Sequence, residues 1–234
     1  MDPRIDPDLL ALLRGCDTPT VCNAIEVAQG RRGFAAFTRG TPVASHPDEV
    51  MVGFAVTARL SAAEPPTEAP EVIRARRMAY YRAMFDAPKP AVAVIEDLDW
   101  PGCVGAFWGE VNTSVHKALG ISGALTNGVL RDLGDLPEGF PVVAGSVGPS
   151  HGSVHVREVM GPVTVFGMEV RPGDLVHADR HGAVVVPPEV VGGLADAIGR
   201  LRASEAVVLE PAREGFGSWA AFEAAWAAFE RARV

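Results

Sequence analysis

Apolar and polar positions alternate from Met51 to Leu60, and β-branched residues recur there, so this stretch predicts a strand. Pro90 to Asp97 is a nearly unbroken apolar run, the mark of a strand buried on both faces. Gly123 to Leu130 predicts a second such strand, ending at Arg131 and Asp132. Phe140 to Ala144, Val154 to Val159 and Val163 to Phe166 continue as strands. Arg171 to Asp174 is a turn, and Leu175 to Asp179 pairs with Gly182 to Pro187 as a hairpin around Arg180, His181 and Gly182. Helical patterning occupies the rest. Asp6 to Gly30 predicts two short helices, the second opening at Thr18 and Pro19 with Asp17 or Thr18 as N-cap. Glu71 to Phe85 and Glu110 to Leu119 follow, the latter closed by Gly120. Pro188 to Arg202 and Ser218 to Arg233 are helical at the C-terminal end. Ala62 to Pro70 and Leu98 to Gly109 are loops.

Strands alternating with helices, then consecutive strands, predict a layered α/β domain with a mixed sheet. The chain of 234 residues suits a single domain: a core over about 17–188, N-terminal helices, and a C-terminal helical extension over 189–234.

Charge narrows the function. The net charge is -8 and there is no Lys/Arg run, so no nucleic-acid groove is expected. No apolar run is long enough to span a membrane, and the acidic start from Met1 to Asp8 carries no signal peptide. Cys16, Cys22 and Cys103 are odd in number and scattered, which fits reduced thiols in a cytoplasmic protein.

The candidate chemistry sits in the central unit. Strand, helix, strand is a βαβ crossover, which brings the loop after the first strand to the same sheet edge as the end of the second. Twenty residues separate Glu110 from Arg131, a reasonable length for a helix, a turn and a strand. Gly109, Glu110, Val111 and Asn112 should therefore meet Arg131 and Asp132. The N–H groups of Val111 and Asn112 suit a carboxylate or oxyanion. Arg131 suits the same carboxylate bidentately and can stabilise developing negative charge. Asp132 offers oxygen to a hard divalent cation, Mg²⁺ or Mn²⁺, and Glu110 can move a proton through water. An ordinary surface ion pair at two element ends explains the same spacing.

Several linked segments then matter together: Trp108 to Glu110, Gly120 to Asp132, Phe140 to Ala144, and Pro172 to Pro187. In this order they resemble the family that contains the regulator of ribonuclease E activity A and the 4-hydroxy-4-methyl-2-oxoglutarate (4-carboxy-4-hydroxy-2-oxoadipate) aldolases. The resemblance covers most of residues 17–190. It implies a β/β/α layered, swivelling-domain-like fold assembling as a homotrimer or a dimer of trimers. It also implies a metal at Asp132, with substrate contacts at Arg131 and the Gly109 to Asn112 segment. The family's acid, twenty residues, Arg-Asp pattern marks its lyase members and falls on Glu110, Arg131 and Asp132. One departure is Asn127, where the family often has Asp; an amide keeps hydrogen bonding but removes a charge.

Other candidates are weaker. A Schiff-base aldolase needs a desolvated lysine, and the two lysines, Lys89 and Lys117, are read as solvated. His151 with His155, and His177 with His181, stand on extended segments, where four residues separate side chains by roughly 13 Å, too far to chelate together. A turn at Gly152 and Ser153 would bring the first pair closer. His116 is read as a helix-face residue and not a base. Cys16 and Cys22 fit core packing, and Gly102, Gly105 and Gly109 do not form a dinucleotide fingerprint. Trp219, Phe222, Trp226 and Phe229 form an apolar helix stripe suited to a core or an oligomer contact.

The expected function is metal-dependent cleavage of a small 4-hydroxy-2-oxo acid to pyruvate and a second oxo compound, with oxaloacetate decarboxylation as a secondary activity. The same fold can carry a non-catalytic regulator that docks on a ribonuclease or another protein.

Overall fold

The structure is a computed structural model that describes residues 5–40 and 42–233. The acidic start read for residues 1–4 lies outside them. The chain divides into two compact units, Met1–Thr18 with Ala36–Val186, and Pro19–Ala35 with Pro187–Val234.

The elements follow the chain in order: α1 (Pro7–Arg14), α2 (Thr18–Gln29), β1 (Val43–Ala44), β2 (Met51–Ser61), α3 (Pro70–Asp86) and β3 (Ala91–Asp97). Next come β4 (Ala106–Trp108), α4 (Glu110–Ala118), β5 (Ile121–Thr126), β6 (Val129–Leu130), β7 (Val142–Ala144), β8 (Ser146–Val147) and β9 (His155–Val159). The chain closes with β10 (Val163–Val165), β11 (Met168–Val170), β12 (Leu175–Asp179), β13 (Gly182–Val186), a 3-10 turn (Pro188–Gly193), α5 (Leu194–Glu214) and α6 (Trp219–Ala232).

In the first unit an eight-stranded mixed sheet runs β1-β7-β5-β3-β2-β12-β13, with β9 also on β2. Strands β2, β3, β5 and β7 are parallel; β1, β9, β12 and β13 are antiparallel to their neighbours. The expected mixed α/β sheet is present. Both of its faces are buried, and successive side chains go to opposite sides. Ala91, Ala93 and Ile95 of β3 join one core with Tyr80 and Met84 of α3 and Trp108 and Phe140. Val92 and Val94 join the other, against Val163, Val165, Met168 and Val170 of the β10–β11 hairpin.

The structure corrects several boundaries. The helix expected over Pro188 to Arg202 is a 3-10 turn and then α5, which runs on to Glu214. Gly123 to Leu130 is not one strand: β5 stays in the large sheet, while β6 leaves it for a separate parallel sheet, β4-β6-β8. Leu98 to Gly109 is not all loop, because its last residues form β4. The break comes at Asn127. Its Oδ1 accepts the Asp97 N–H at 2.7 Å and its Nδ2 donates to the Asp97 carbonyl at 3.1 Å. The amide thus stands in for a backbone partner of β3 and releases the main chain to turn away.

In the second unit, Leu194, Ala197, Ile198 and Leu201 bury one stripe of α5 at helical spacing. Helix α6 buries no residue fully. Its rings run along the helix, Trp219 against Phe222, Phe222 stacked on Trp226, Trp226 edge-on to Phe229. No helix among the described residues is long and apolar enough to cross a membrane.

Candidate active site

The small parallel sheet builds the site. Trp108 at the end of β4 is in register with Leu130 at the end of β6, and the Arg131 N–H donates to the Trp108 carbonyl at 2.8 Å. Gly109 and Glu110 therefore emerge beside Arg131 and Asp132. All the residues singled out from the sequence, Gly109 to Asn112 with Arg131 and Asp132, lie at these two neighbouring strand ends. The route differs from the expected one: the strands that align them are β4 and β6, not the large-sheet strands β3 and β5.

Asp132 turns back on its own strand with φ 57°, a left-handed conformation that costs on the order of 1–2 kcal/mol and that Asp tolerates better than most residues. The turn aims its carboxylate at the start of α4. Helix α4 has no side-chain cap of its own; Asp132 Oδ2 instead accepts the Glu110 N–H at 3.2 Å. A carboxylate at a helix N-terminus is favoured by the helix dipole and by the unsatisfied N–H groups there. By position, the Val111 and Asn112 N–H groups have no acceptor within the helix. Arg131 Nε stands 3.5 Å from Asp132 Oδ2, yet it is buried with no hydrogen-bond partner among the described residues. That donor is satisfied by no described protein acceptor, and because Nε is buried a ligand would meet the guanidinium from the exposed part of the side chain. The Arg131 and Asp132 side chains are each about one-third exposed (32% and 34%), and Glu110 is exposed, so the opening is reachable from water.

The rear of α4 is an aromatic box that the sequence reading missed. His116 is fully buried, among Tyr80, Tyr81, Phe107, Trp108 and Phe140. Its Nδ1 lies 2.6 Å from the Asn112 carbonyl and its Nε2 lies 2.6 Å from the Tyr80 hydroxyl. A carbonyl only accepts, so Nδ1 carries the proton and Nε2 accepts from Tyr80. Burial pushes the His116 pKa down to about 4, so the ring is neutral and structural, a wall of the core beneath α4. Asn112 completes the network, accepting from Tyr81 Oη at 2.9 Å and donating to the Phe107 carbonyl at 2.6 Å. Its side chain is committed to protein, leaving its N–H for a ligand. The sequence signal was the spacing of Asn112 and His116, one helical turn apart.

The remaining candidates find structural roles. His177 Nε2 donates to the Leu13 carbonyl at 3.0 Å, leaving Nδ1 to accept from Thr18 Oγ1 at 3.0 Å. His181 Nδ1 pairs with Asp179. His155 is engaged with Ser153 and Arg157. Lys89 Nζ donates to the Met84 carbonyl at 2.7 Å and burial lowers its pKa, so it is not the solvated side chain expected from sequence. Lys117 is bonded to the Glu138 carbonyl. Burial, and the Asp97 carboxylate beside it, push the Cys103 thiol up to about 12, which keeps it protonated and a poor nucleophile. No disulfide is formed among the described residues.

For a divalent cation the donors are few. Among the described residues no three His, Cys, Asp or Glu side chains gather as a metal cage. Asp132 still has an oxygen with no hydrogen bond among the described residues, and Glu110 adjoins it. One or two carboxylates, with water and substrate oxygens, is how Mg²⁺ is commonly held. The donor set fits a hard cation of that kind and not a structural zinc.

Comparison with known proteins gives a consistent picture. The family model described as RraA-like, Aldolase/RraA, matches residues 18–185. A protein of Halalkalibacterium halodurans, provisionally named a 4-hydroxy-4-methyl-2-oxoglutarate aldolase, is 29% identical over 129 residues, 52% of this chain and 58% of that protein. The chain matches little more than half the length, or less, of its curated relatives. Among solved structures, an uncharacterized protein from Pseudomonas syringae pv. tomato superposes with a TM-score of 0.67 at 20% identity over 98% of both chains. Streptomyces coelicolor RraAS2, described as an unusual member of the RNase ES inhibitor RraA family, gives 0.65 at 23% identity over 86% of this chain and 96% of its own.

Proposed function

The chain belongs to the RraA-like family, and from that premise we propose that it is a divalent-cation-dependent carbon–carbon lyase. Its substrate is a 4-hydroxy-2-oxo acid of the 4-hydroxy-4-methyl-2-oxoglutarate type, and its products are pyruvate and a second oxo compound. One observation carries the reading: Gly109 and Glu110 lie against Arg131 and Asp132, with the Arg131 Nε left without a hydrogen-bond partner among the described residues and its side chain about one-third exposed.

Arg131 and the N–H groups of Val111 and Asn112 bind the substrate carboxylate and orient the 2-oxo group. Glu110, through water, takes the proton from the C4 hydroxyl. The C3–C4 bond then breaks, C4 becomes a carbonyl, and the electron pair passes into the enolate of pyruvate. Arg131 stabilises that developing charge. Protonation at C3 by the same relay releases pyruvate. When bound at Asp132, Mg²⁺ or Mn²⁺ supplies Lewis-acid polarisation of the 2-oxo oxygen. Oxaloacetate decarboxylation yields the same enolate and follows as a secondary activity. A homotrimer or dimer of trimers belongs to this reading; the exposed apolar Val111, Leu133 and Val147 beside the strand ends are suitable contact surface. So does a cytoplasmic location, consistent with three unbridged cysteines.

The test is pyruvate release from a panel of 4-hydroxy-2-oxo acids and oxaloacetate, with and without Mg²⁺ or Mn²⁺. Cation-dependent release, lost in folded Arg131→Ala and Asp132→Ala proteins, is the expected result. Unchanged release in those variants rejects the assignment. No release from any substrate would leave the fold to a docking role on a protein partner.

A further inference from the structure

The second unit contains a cleft of about 520 Å³, a size typical of small-molecule sites. Arg31 and Arg32 after α2, Arg200 on α5 and Arg233 after α6 line it, with Glu26 and Glu205 the acidic residues among its described lining. Four guanidiniums against two carboxylates make it locally positive in a chain of net charge -8.

Several arginines elsewhere in the chain are paired. Arg59 pairs with Glu96 and Glu158, Arg76 with Glu68, Arg171 with Glu169 and Arg180 with Asp48. In the cleft, Arg31, Arg32 and Arg200 make no side-chain hydrogen bond or ion pair among the described residues. Glu26 forms no ion pair with them among the described residues: its Oε1 accepts the N–H groups of Gly33 at 3.0 Å and Phe34 at 3.4 Å. That carboxylate instead pins the loop that displays Arg31 and Arg32. Arg233 lies over the Phe229 ring, 5.2 Å from its centroid. Val27, Leu201 and Phe229 give the cleft an apolar side.

Gathering guanidiniums in a concave surface is unfavourable without an anion between them, and each offers a planar fork matched to carboxylate or phosphate. We propose that this cleft binds a small organic polyanion, a ligand with at least two oxyanion groups joined by a short carbon or phosphoryl backbone. The proposal does not rest on the lyase reading.

Isothermal titration of the full chain with citrate and with pyrophosphate, in ~0.15 M NaCl so that non-specific attraction is screened, tests it. Because Arg131 is itself an oxyanion receptor, the titration uses Arg131→Ala protein. One saturable site per chain is expected, weakened at least about tenfold when Arg31→Gln and Arg200→Gln are combined. Arg31→Lys with Arg200→Lys keeps the charge and loses the fork, and should also weaken binding should the glutamine pair not fold. Tighter citrate binding assigns a polycarboxylate, and tighter pyrophosphate binding a phosphorylated ligand. No saturable heat below about 10 mM of either probe, or binding unchanged in folded double variants, overturns the proposal.

Discussion

The strand ends carrying Arg131 and Asp132 and the helical cleft carrying Arg31 and Arg200 both concentrate charge, by opposite means. At the strand ends, backbone pairing between β4 and β6 fixes each residue before its side chain does anything. Asp132 is then consumed in part by its own scaffold, capping α4 through the Glu110 N–H. In the cleft, long side chains from the α2 and α6 ends and from the body of α5 converge, with the Glu26 loop anchor and the Phe229 ring as their restraints. The first arrangement is preorganised and suits chemistry, in which a small misplacement is expensive. The second is adaptable and suits binding.

The largest expected effect tests the first half of that contrast. Arg131→Ala should lower kcat/KM for pyruvate release by on the order of 10²–10³, the loss typical of one transition-state donor. Thermal stability should hardly move, because Arg131 Nε makes no hydrogen bond in the scaffold. A large fall in stability would mean that the guanidinium serves the fold.

Acid tests the box beneath α4. The His116 pKa is near 4 in the folded protein and near 6.5 when exposed, so the unfolded chain takes up the proton first. Stability from this residue is full above pH 6.5 and falls as pH drops toward 4, by about 3 kcal/mol in all. Burial lowers His177 too and adds the same sign, whereas burial raises Asp97 and opposes it. The difference in urea unfolding between the native protein and His116→Gln, followed from pH 7 to 4.5, isolates the term. A constant difference across that range would remove His116 from it.

Asn127→Asp comes next, at about 2 kcal/mol of stability. The carboxylate cannot donate to the Asp97 carbonyl, sets an oxygen against that oxygen, and places a charge at a buried position. The loss should shrink near pH 5 as the new group takes up a proton and regains a donor. Equal loss at pH 7 and 5 in chemical denaturation would contradict the strut role.

Much of this was legible in the chain because the signals were local. The alternation in Met51 to Leu60 and the run from Pro90 to Asp97 specify β2 and β3 by period alone. The return from Glu110 to Arg131 was legible as a length that suits one helix and one strand, although β4 and β6 align the two and not the strands the crossover rule named. What escaped depends on partners far apart in sequence or on single side chains. The apolar run from Gly123 to Leu130 does not reveal that Asn127 will satisfy β3 and send Val129 into another sheet. His116 reads as a polar helix position until Tyr80, thirty-six residues earlier, supplies its hydroxyl. The cleft needs residues near 30 to meet residues beyond 200, and helix packing leaves no periodic mark of which helices meet.

The smallest effect separates the two regions most cleanly, because it uses the same substitution in each. A Cβ on Gly109 would lie 2.5 Å from Asp132 Oδ2, 2.9 Å from Arg131 Nε and 3.0 Å from Arg131 Cγ. These are side-chain atoms, and Gly109 itself has an extended backbone that alanine adopts without strain. Gly109→Ala should therefore push the pair apart, costing about 1 kcal/mol of stability as the α4 cap weakens, while lowering pyruvate release by roughly tenfold, about 1.4 kcal/mol. A Cβ on Gly199, inside α5, meets nothing within 4 Å. Gly199→Ala should raise stability by roughly 0.5–1 kcal/mol through helix propensity and leave pyruvate release unchanged. Thermal melts and steady-state rates on the two variants read both quantities. If Gly109→Ala kept full activity, the close approach of α4 to Arg131 and Asp132 would be packing alone, and the preorganised half of the contrast would fail.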